Sequence, residues 1–376
     1  MARFTSTFAL ALAAFAGVAT AHNNNGGRAT IRVRPTQCIQ QALRTAPAGS
    51  KVIVDEGTYY EQLEITTDGI ELVARNSNVK LIAPQTYKSN FCSGLAGPNT
   101  EAGICIHGSG VDLAAYQTGQ EHREFNGVQR RVKGVSVTGF EIKNFSGLNI
   151  AIVAGEDTQI SRNKLVNGQK YGSLSVGSIN TKASRNIVSS TDPKLLFIGM
   201  CVDDTRNPRV SDNNVSGYST GLCVQTNGAQ IRNNDVSGCC SAIFVDPAIV
   251  GAEVRGNHIG KNDPRCFDPK LGGPTPGAAF GIFVFGANDT IIRDNFVTGQ
   301  TKQGAAHPDE VFATGIVVTD FVFQTFPRIP ASGNTIKRNT VTGNEFDIFV
   351  DATGPGNVAK NNVCNGAVPA DACTPP

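Results

Sequence analysis

Two short patterns alternate along the chain. One is aliphatic-x-aliphatic, at Ile150/Ile152, Leu174/Val176, Met200/Val202, Leu222/Val224, Ile243/Val245, Ile282/Val284, Ile316/Val318 and Ile348/Val350. The other is a loose apolar-x-x-Asn-x-apolar element, with Asn163, Asn186, Asn213, Asn234, Asn257, Asn295, Asn339 and Asn361 as its asparagines. From the first aliphatic to the next Asn the spacing is 12 to 14 residues in seven of eight cases. The basic period is about 22 residues, as from Met200 to Leu222. Period-two alternation marks strands with one buried face, and three short strands fill such a period. A unit this small cannot bury its apolar face alone, so neighbours must stack. The expectation is an all-β, single-stranded right-handed parallel β-helix, a solenoid with its asparagines stacked at one sharp turn. Asn suits that turn because it tolerates left-handed backbone. The hairpins of a β-sandwich would not hold one register from Ile150 to Val363.

The N-terminus reads as a secretory signal over residues 1–21. Arg3 precedes a short apolar run from Phe8 to Val18, and Ala19-Thr20-Ala21 is an A-x-A cleavage site. Residues 22–34 are expected to be a flexible leader, and 35–376 the β-helix domain. The stretch Cys38-Ile39-Gln40-Gln41-Ala42-Leu43, then Pro47-Ala48-Gly49, Val52-Ile53-Val54 and Glu56-Gly57-Thr58-Tyr59, resembles the N-terminal cap of pectin-lyase-like β-helix proteins. The Asn repeats resemble the NosD-like branch. The resemblance implies a short capping helix over the open end of the solenoid. It implies no single activity, since the superfamily holds lyases, hydrolases, esterases, epimerases and non-enzymes.

Composition narrows the partners. There are 33 basic and 31 acidic residues and no basic run, which argues against nucleic acid or an anionic membrane as partner. A monomer is expected. All 10 cysteines follow the cleavage site, which favours disulfides in a secreted, extracellular protein. The candidate pairs are Cys364–Cys373, Cys92–Cys105, and Cys239 or Cys240 with Cys266. Cys201 and Cys223 would be neighbours on adjacent strands. Asn144, Asn214 and Asn288 lie in N-x-S/T sequons.

Alternation also assigns directions. If Met200 and Val202 face inward, Cys201 and Asp203 face outward. The outward series then runs Ala151, Ser175, Cys201, Cys223, Phe244, Phe283, Val317, Phe349. A second runs Val153, Gly177, Asp203, Gln225, Asp246, Phe285, Thr319, Asp351. Insertions at 257–282 and 295–316, a stretched 316–339 connection and the excursion 114–131 flank this one sheet. Loops around a rigid sheet make a groove. Asp203, Asp246 and Asp204 are the candidate catalytic acids. Two coils separate Asp203 from Asp246, about 9–10 Å of backbone, which suits an inverting glycosidase pair. Gln225, Lys170, Tyr171, Arg206, Phe283, Lys302 and His307 are the candidate substrate-binding residues.

The sequence points to a secreted carbohydrate-active enzyme, a polysaccharide lyase or glycoside hydrolase, with polysaccharide as partner. The same acids could hold Ca²⁺, with Lys170, Arg206 or Lys302 as a lyase base. No C-x-x-C framework suggests zinc. The alternatives are a non-catalytic binding or structural β-helix, and a NosD-like metal-handling protein. Five His and two Met are few for soft copper ligation.

Overall fold

The structure, a computed structural model, describes residues 21–22, 28–323 and 326–374. Apart from Ala21, the signal segment lies outside the described residues. Three sheets run the length of the molecule, with 13, 12 and 11 strands, parallel throughout except where Ala21–His22 pairs antiparallel with Thr30–Val33. Each full coil supplies one strand to each, as Arg209–Ser211, Asn214–Ser216 and Tyr218–Val224 do in turn. The fold is the right-handed parallel β-helix expected from the repeat.

The solenoid begins earlier than the sequence suggested. The supposed leader contributes the strand Thr30–Val33, which pairs in parallel with Lys51–Val54 and buries Ile31 and Val33. The helix Ile39–Thr45 then caps the end with Ile39, Ala42 and Leu43 buried. Glu61 accepts from the free amides of Ile39 and Gln40, at 2.9 and 3.0 Å, satisfying donors that a helix start leaves open.

An asparagine ladder fixes one corner. Asn213 donates from both its backbone N and its Nδ2 to Asn234 Oδ1, at 3.1 and 3.0 Å. Asn234 repeats this toward Asn257, and the series continues through Asn295 and Asn339. The last rung is Asn362, not Asn361. The left-handed backbone belongs to the residue before each rung, such as Arg185, Asp212, Asn233 or Asn361. The ladder asparagines themselves are buried and serve by hydrogen bonding.

The 11-stranded sheet carries the expected alternation with one exception. Ser173 pairs with Met200, Leu174 with Cys201 and Ser175 with Val202. In the coil at Tyr171–Val176 it is therefore Ser173 and Ser175 that stand in the core register. Leu174 and Val176 face outward, correcting the outward placement of Ser175 and Gly177. A one-residue shift moves every side chain to the other face. It is favoured here because this outer face is itself dry. Leu174 and Val176 join an outer apolar cluster with Val153, Ile198 and Leu113.

A glycine row edges the same sheet. A Cβ on Gly199 would meet Gly221 O at 2.6 Å, and one on Gly221 would meet Ala242 O at 2.6 Å. The coils approach so closely there that no side chain fits.

Four disulfides form: Cys92–Cys105, Cys201–Cys223, Cys240–Cys266 and Cys364–Cys373. Cys239 is free and buried, and Cys38 is free and exposed. The disulfides suggest an extracellular or periplasmic location. Among the described residues no helix is long and apolar enough to cross a membrane.

Candidate functional site

Asp203, Gln225 and Asp246 stand on three successive coils, each one residue beyond an inward valine of the paired set Val202, Val224 and Val245. Alternation turns them outward together. The excursion expected at 114–131 is a two-stranded hairpin of Ser109–Leu113 and Phe125–Arg130 with a long tip. The tip returns onto the sheet and delivers Glu121 and His122. Arg123 holds its base, donating to the carbonyls of Ala114 and Leu113 at 2.7 and 3.0 Å.

These residues form one connected cluster. Gln225 Nε2 donates to Glu121 Oε2 at 2.9 Å. His122 Nε2 lies 3.1 Å from Gln225 Oε1 and 3.7 Å from Asp203 Oδ2. Cys223 Sγ, bonded to Cys201, sits 3.6 Å from Asp246 Oδ2 and 3.9 Å from Glu121 Oε2. A disulfide floor thus separates two carboxyls, and an amide bridges one of them to the imidazole. His122 is only 6% exposed, while the Asp203 side chain keeps 31% of its surface.

Burial governs the protonation of the acids. Asp246 is pushed well above the usual carboxylate range, first by burial and then by the charges of Glu121 and Asp203, against a bond from Gln225. Burial also raises Glu121, opposed by His122 and Gln225. Asp203 is raised by burial and lowered by His122. Loss of hydration disfavours the ionised form, and nearby like charge adds to it.

A cleft of about 180 Å³ opens beside Glu121, lined also by Thr220, Cys223, Ser241, Phe244 and Phe283. The 257–282 insertion supplies Pro274 and Phe280 to its wall and is pinned by Cys240–Cys266. Beyond the cleft the outer face is aromatic. Phe283 lies 5.2 Å from Phe244, 4.6 Å from Phe280 and 5.0 Å from Phe285, and Phe285 lies 5.0 Å from Phe321.

Of the other candidates, Tyr171 stays beside the cluster, its hydroxyl raised by burial and then by the charges of Glu121, Asp246 and Asp203, and the rest scatter. Asp204 is turned inward and is 6% exposed, its carboxyl oxygens lacking hydrogen-bond partners. Burial raises its pKa to about 6, with the hydroxyls of Thr181 and Ser175 and the Ser178 amide pulling weakly the other way. These groups lie close without reaching bonding geometry to either oxygen. Asp204 belongs to the core and not to the groove. Tyr171 is fully buried, edge-on to His122 with ring centroids 6.2 Å apart, and its hydroxyl has no partner. Lys170 is exposed, its ammonium 5.5 Å from the Phe197 ring centroid. Arg206 lies exposed at a turn bridged to Ile179. Lys302 has its backbone amide on Glu345 at 3.3 Å, and His307 is exposed just before the turn Pro308–Glu310. Neither joins the acid cluster. Sequence reasoning missed Glu121; its only signal was adjacency to His122 in the long excursion.

Two groups of His, Cys, Asp and Glu could share an ion among the described residues: Glu64–Cys105–His107 and Glu121–Cys201–Cys223. All three cysteines are in disulfides, so neither group offers the thiolate a soft metal prefers. These residues do not fit a copper site.

The chain matches the family model described as right handed beta helix region over residues 198–372. It matches that of the periplasmic copper-binding protein NosD over 113–267. No curated protein matches it. Among solved structures it is similar to the Azotobacter vinelandii mannuronan C-5 epimerase AlgE4 A-module, at 13% identity and TM-score 0.51, covering 88% of this chain and 89% of that one. It is similar to PfbA, a surface adhesin of Streptococcus pneumoniae, at 12% identity and TM-score 0.56, covering 87% and 79%. DFA-IIIase from Arthrobacter chlorophenolicus A6 aligns at 11% identity and TM-score 0.50, covering 84% and 83%. At such identities these likenesses speak for the fold alone. With the coil geometry and the two family-model matches, each over less than half of the chain, they show the fold of a right-handed parallel β-helix.

Proposed function

We propose that the protein is a secreted glycoside hydrolase acting on a neutral polysaccharide. The observation that carries this is the cluster of Glu121, Asp203 and Asp246, of which Glu121 lines an open cleft that Phe244, Phe280 and Phe283 also line. Asp246, pushed well above the usual carboxylate range first by burial, is the acid that donates a proton to the leaving glycosidic oxygen. Asp203, more exposed and beside His122, gives up its proton first and activates water. Two strand spacings, ~9–10 Å, separate their backbones, which leaves room for water as an inverting pair requires. Burial raises Asp246 first, and the charge of Glu121 adds to it.

The same electrostatics argue against a uronate lyase, because three grouped carboxyls repel an acidic polymer. Among the described contacts of these acids there is no Lys or Arg to serve as base. Calcium is not favoured either: among the described residues, no three carboxylate oxygens converge within 4.8 Å. AlgE4 and DFA-IIIase are named for carbohydrate chemistry, which accords with a sugar ligand on this fold. The test is a panel of neutral and acidic polysaccharides, read by new reducing ends and by the ultraviolet absorbance of unsaturated products. Reducing ends without absorbance, lost in Asp246→Asn, is the expected result. Unsaturated products would replace hydrolysis with elimination. Binding without any cleavage would favour an adhesin-like role.

A further inference from the structure

The outer face of the 11-stranded sheet is closed at one end of the acid cluster and open at the other. On the N-terminal side, the hairpin and residues 91–97 cover the coils at Ala102–His107, Leu148–Val153 and Tyr171–Val176. Leu113, Cys92 and Leu95 are buried in that cover, with Phe125 packed against it. Phe125 lies so tightly on Gly177 that a Cβ there would come within 2.3 Å of its ring. Cys92–Cys105 fastens the cover to the sheet, and Arg123 N donates to Leu95 O at 2.9 Å, tying its two parts together. It is therefore a built wall rather than a draped loop. Glu121 and His122 belong to it, so the wall begins where the acids are.

On the C-terminal side the face stays accessible. Phe283 and Phe285 stand two residues apart on one strand, their rings 5.0 Å apart, and Phe321, 5.0 Å from Phe285, follows the end of the next strand; the row runs along the strands and advances one coil, with Phe323 5.9 Å from Phe321 and 61% exposed. From the coil of Asp246 to that of Phe346–Asp351 there are three strand spacings, ~14 Å. Rings on the sheet and on the loop at its edge offer stacking surface to the apolar faces of sugars, and uncharged rings suit a neutral chain.

The geometry points to an end-acting enzyme: one terminus of a linear neutral glycan enters the cleft against the wall, and the rest of the chain lies along the phenylalanine floor. This rests on the hydrolase reading. A chain cannot pass through the acid cluster, because the wall blocks its continuation. Cleavage therefore releases a short fragment held between Glu121 and Ser241, while the polymer stays on the aromatic side. The bond cleaved is the glycosidic C–O bond. Water adds its hydroxyl to the sugar carbon and passes its other proton to the Asp203 carboxylate, while the proton from Asp246 goes to the leaving oxygen.

The experiment uses the full secreted chain on whichever linear neutral polysaccharide it hydrolyses, following product size and solution viscosity together. Mono- or disaccharide should accumulate from the first percent of turnover, with viscosity falling slowly. Early loss of viscosity with mid-length fragments would overturn the end-acting inference and leave the hydrolase reading standing. Absence of cleavage on every glycan would bring down both. As a second arm, Phe321→Ala should lower the ratio of kcat/KM for polymer to kcat/KM for the shortest substrate at least fivefold, through KM. An unchanged ratio would overturn the floor as the polymer's seat.

Discussion

Asp204→Asn isolates the cost of one buried carboxyl. Asp204 is 6% exposed, and both its oxygens lack partners. Its pKa is raised from 3.8 to about 6, mainly by burial. The folded state therefore holds this proton more tightly than the unfolded chain does. As pH rises from about 4 to 6, the unfolded state releases the proton first and gains relative to the folded one. Below the unfolded pKa the group costs nothing on this account. Above the folded pKa the full penalty applies, about 3 kcal/mol for roughly two pKa units. Asparagine keeps the shape, carries no charge and offers donors to the Ser175 and Thr181 hydroxyls. Calorimetry of both proteins at pH 4, 6 and 8 should show equal melting temperatures at pH 4. At pH 8 the variant should melt several degrees higher, with glycan hydrolysis retained. A melting gap independent of pH, or a variant less stable at pH 8, would refute the reasoning. Loss of activity with stability intact would restore Asp204 to the catalytic set.

Asn234→Ala removes four hydrogen bonds, two accepted from Asn213 and two donated to Val210 O and Asn257 Oδ1. It leaves the buried Asn213 amide unpaired, so denaturation should show a loss of about 2–4 kcal/mol; a loss under 0.5 kcal/mol would contradict the ladder's role. Asp203→Asn and Asp246→Asn should each remove most hydrolysis, with Asp246→Asn also melting higher at pH 8 than at pH 4 relative to the parent, since its buried carboxyl resists ionisation as Asp204 does; loss of activity and stability in proportion would mark them as structural. The pH–rate profile should fall on the acid side as Asp203 takes up its proton and on the alkaline side as Asp246 releases its own; its upper limb should lie well above the usual carboxylate range, given the raised Asp246. A chelator should leave the rate unchanged, and inactivation reversed by calcium would put a metal among the acids. Alkylation of the native, unreduced protein should label Cys38 alone, with Cys239 labelled only after unfolding.

The sequence carried most of the scaffold because stacking repeats its own constraints. A ladder asparagine must be followed by another in the same place, and an inward valine by another apolar residue, so periodicity reveals both. The failures lie where a second environment competes. The coil Tyr171–Val176 reads as aliphatic Leu174 and Val176 facing the core. The hairpin makes the outer face equally apolar, and the chain is shifted to put serines inside beside Asp204. Val358 and Asn361 fit the apolar-x-x-Asn pattern. The inward position belongs to Ala359, which pairs with Ile336, and moves the rung to Asn362. Glu121 reaches the site through a non-repeating excursion, where periodicity has nothing to say. Lys302 and His307 were inferred from the location of their insertion alone, which fixes a side of the sheet but not a direction.

The solenoid also explains how three acids can be held together at all. Identical residues on adjacent coils stand one strand spacing apart, ~4.8 Å, and carboxylates stacked at that distance would repel. The outward row avoids this by placing Gln225 between Asp203 and Asp246. Its amide donates to Glu121 and its carbonyl faces His122, so the intervening coil bonds to the acid and the imidazole brought in from the hairpin. Each acid therefore meets the others across a neutral residue or the Cys201–Cys223 sulfurs. That arrangement leaves enough repulsion to raise Asp246 without requiring every acid to be protonated. The ladder and the apolar core lie on other rows of the same coils. The outer row can consequently change its chemistry from coil to coil, from the apolar face under the hairpin to the acids and then to the phenylalanines, while the inward rows stay almost constant.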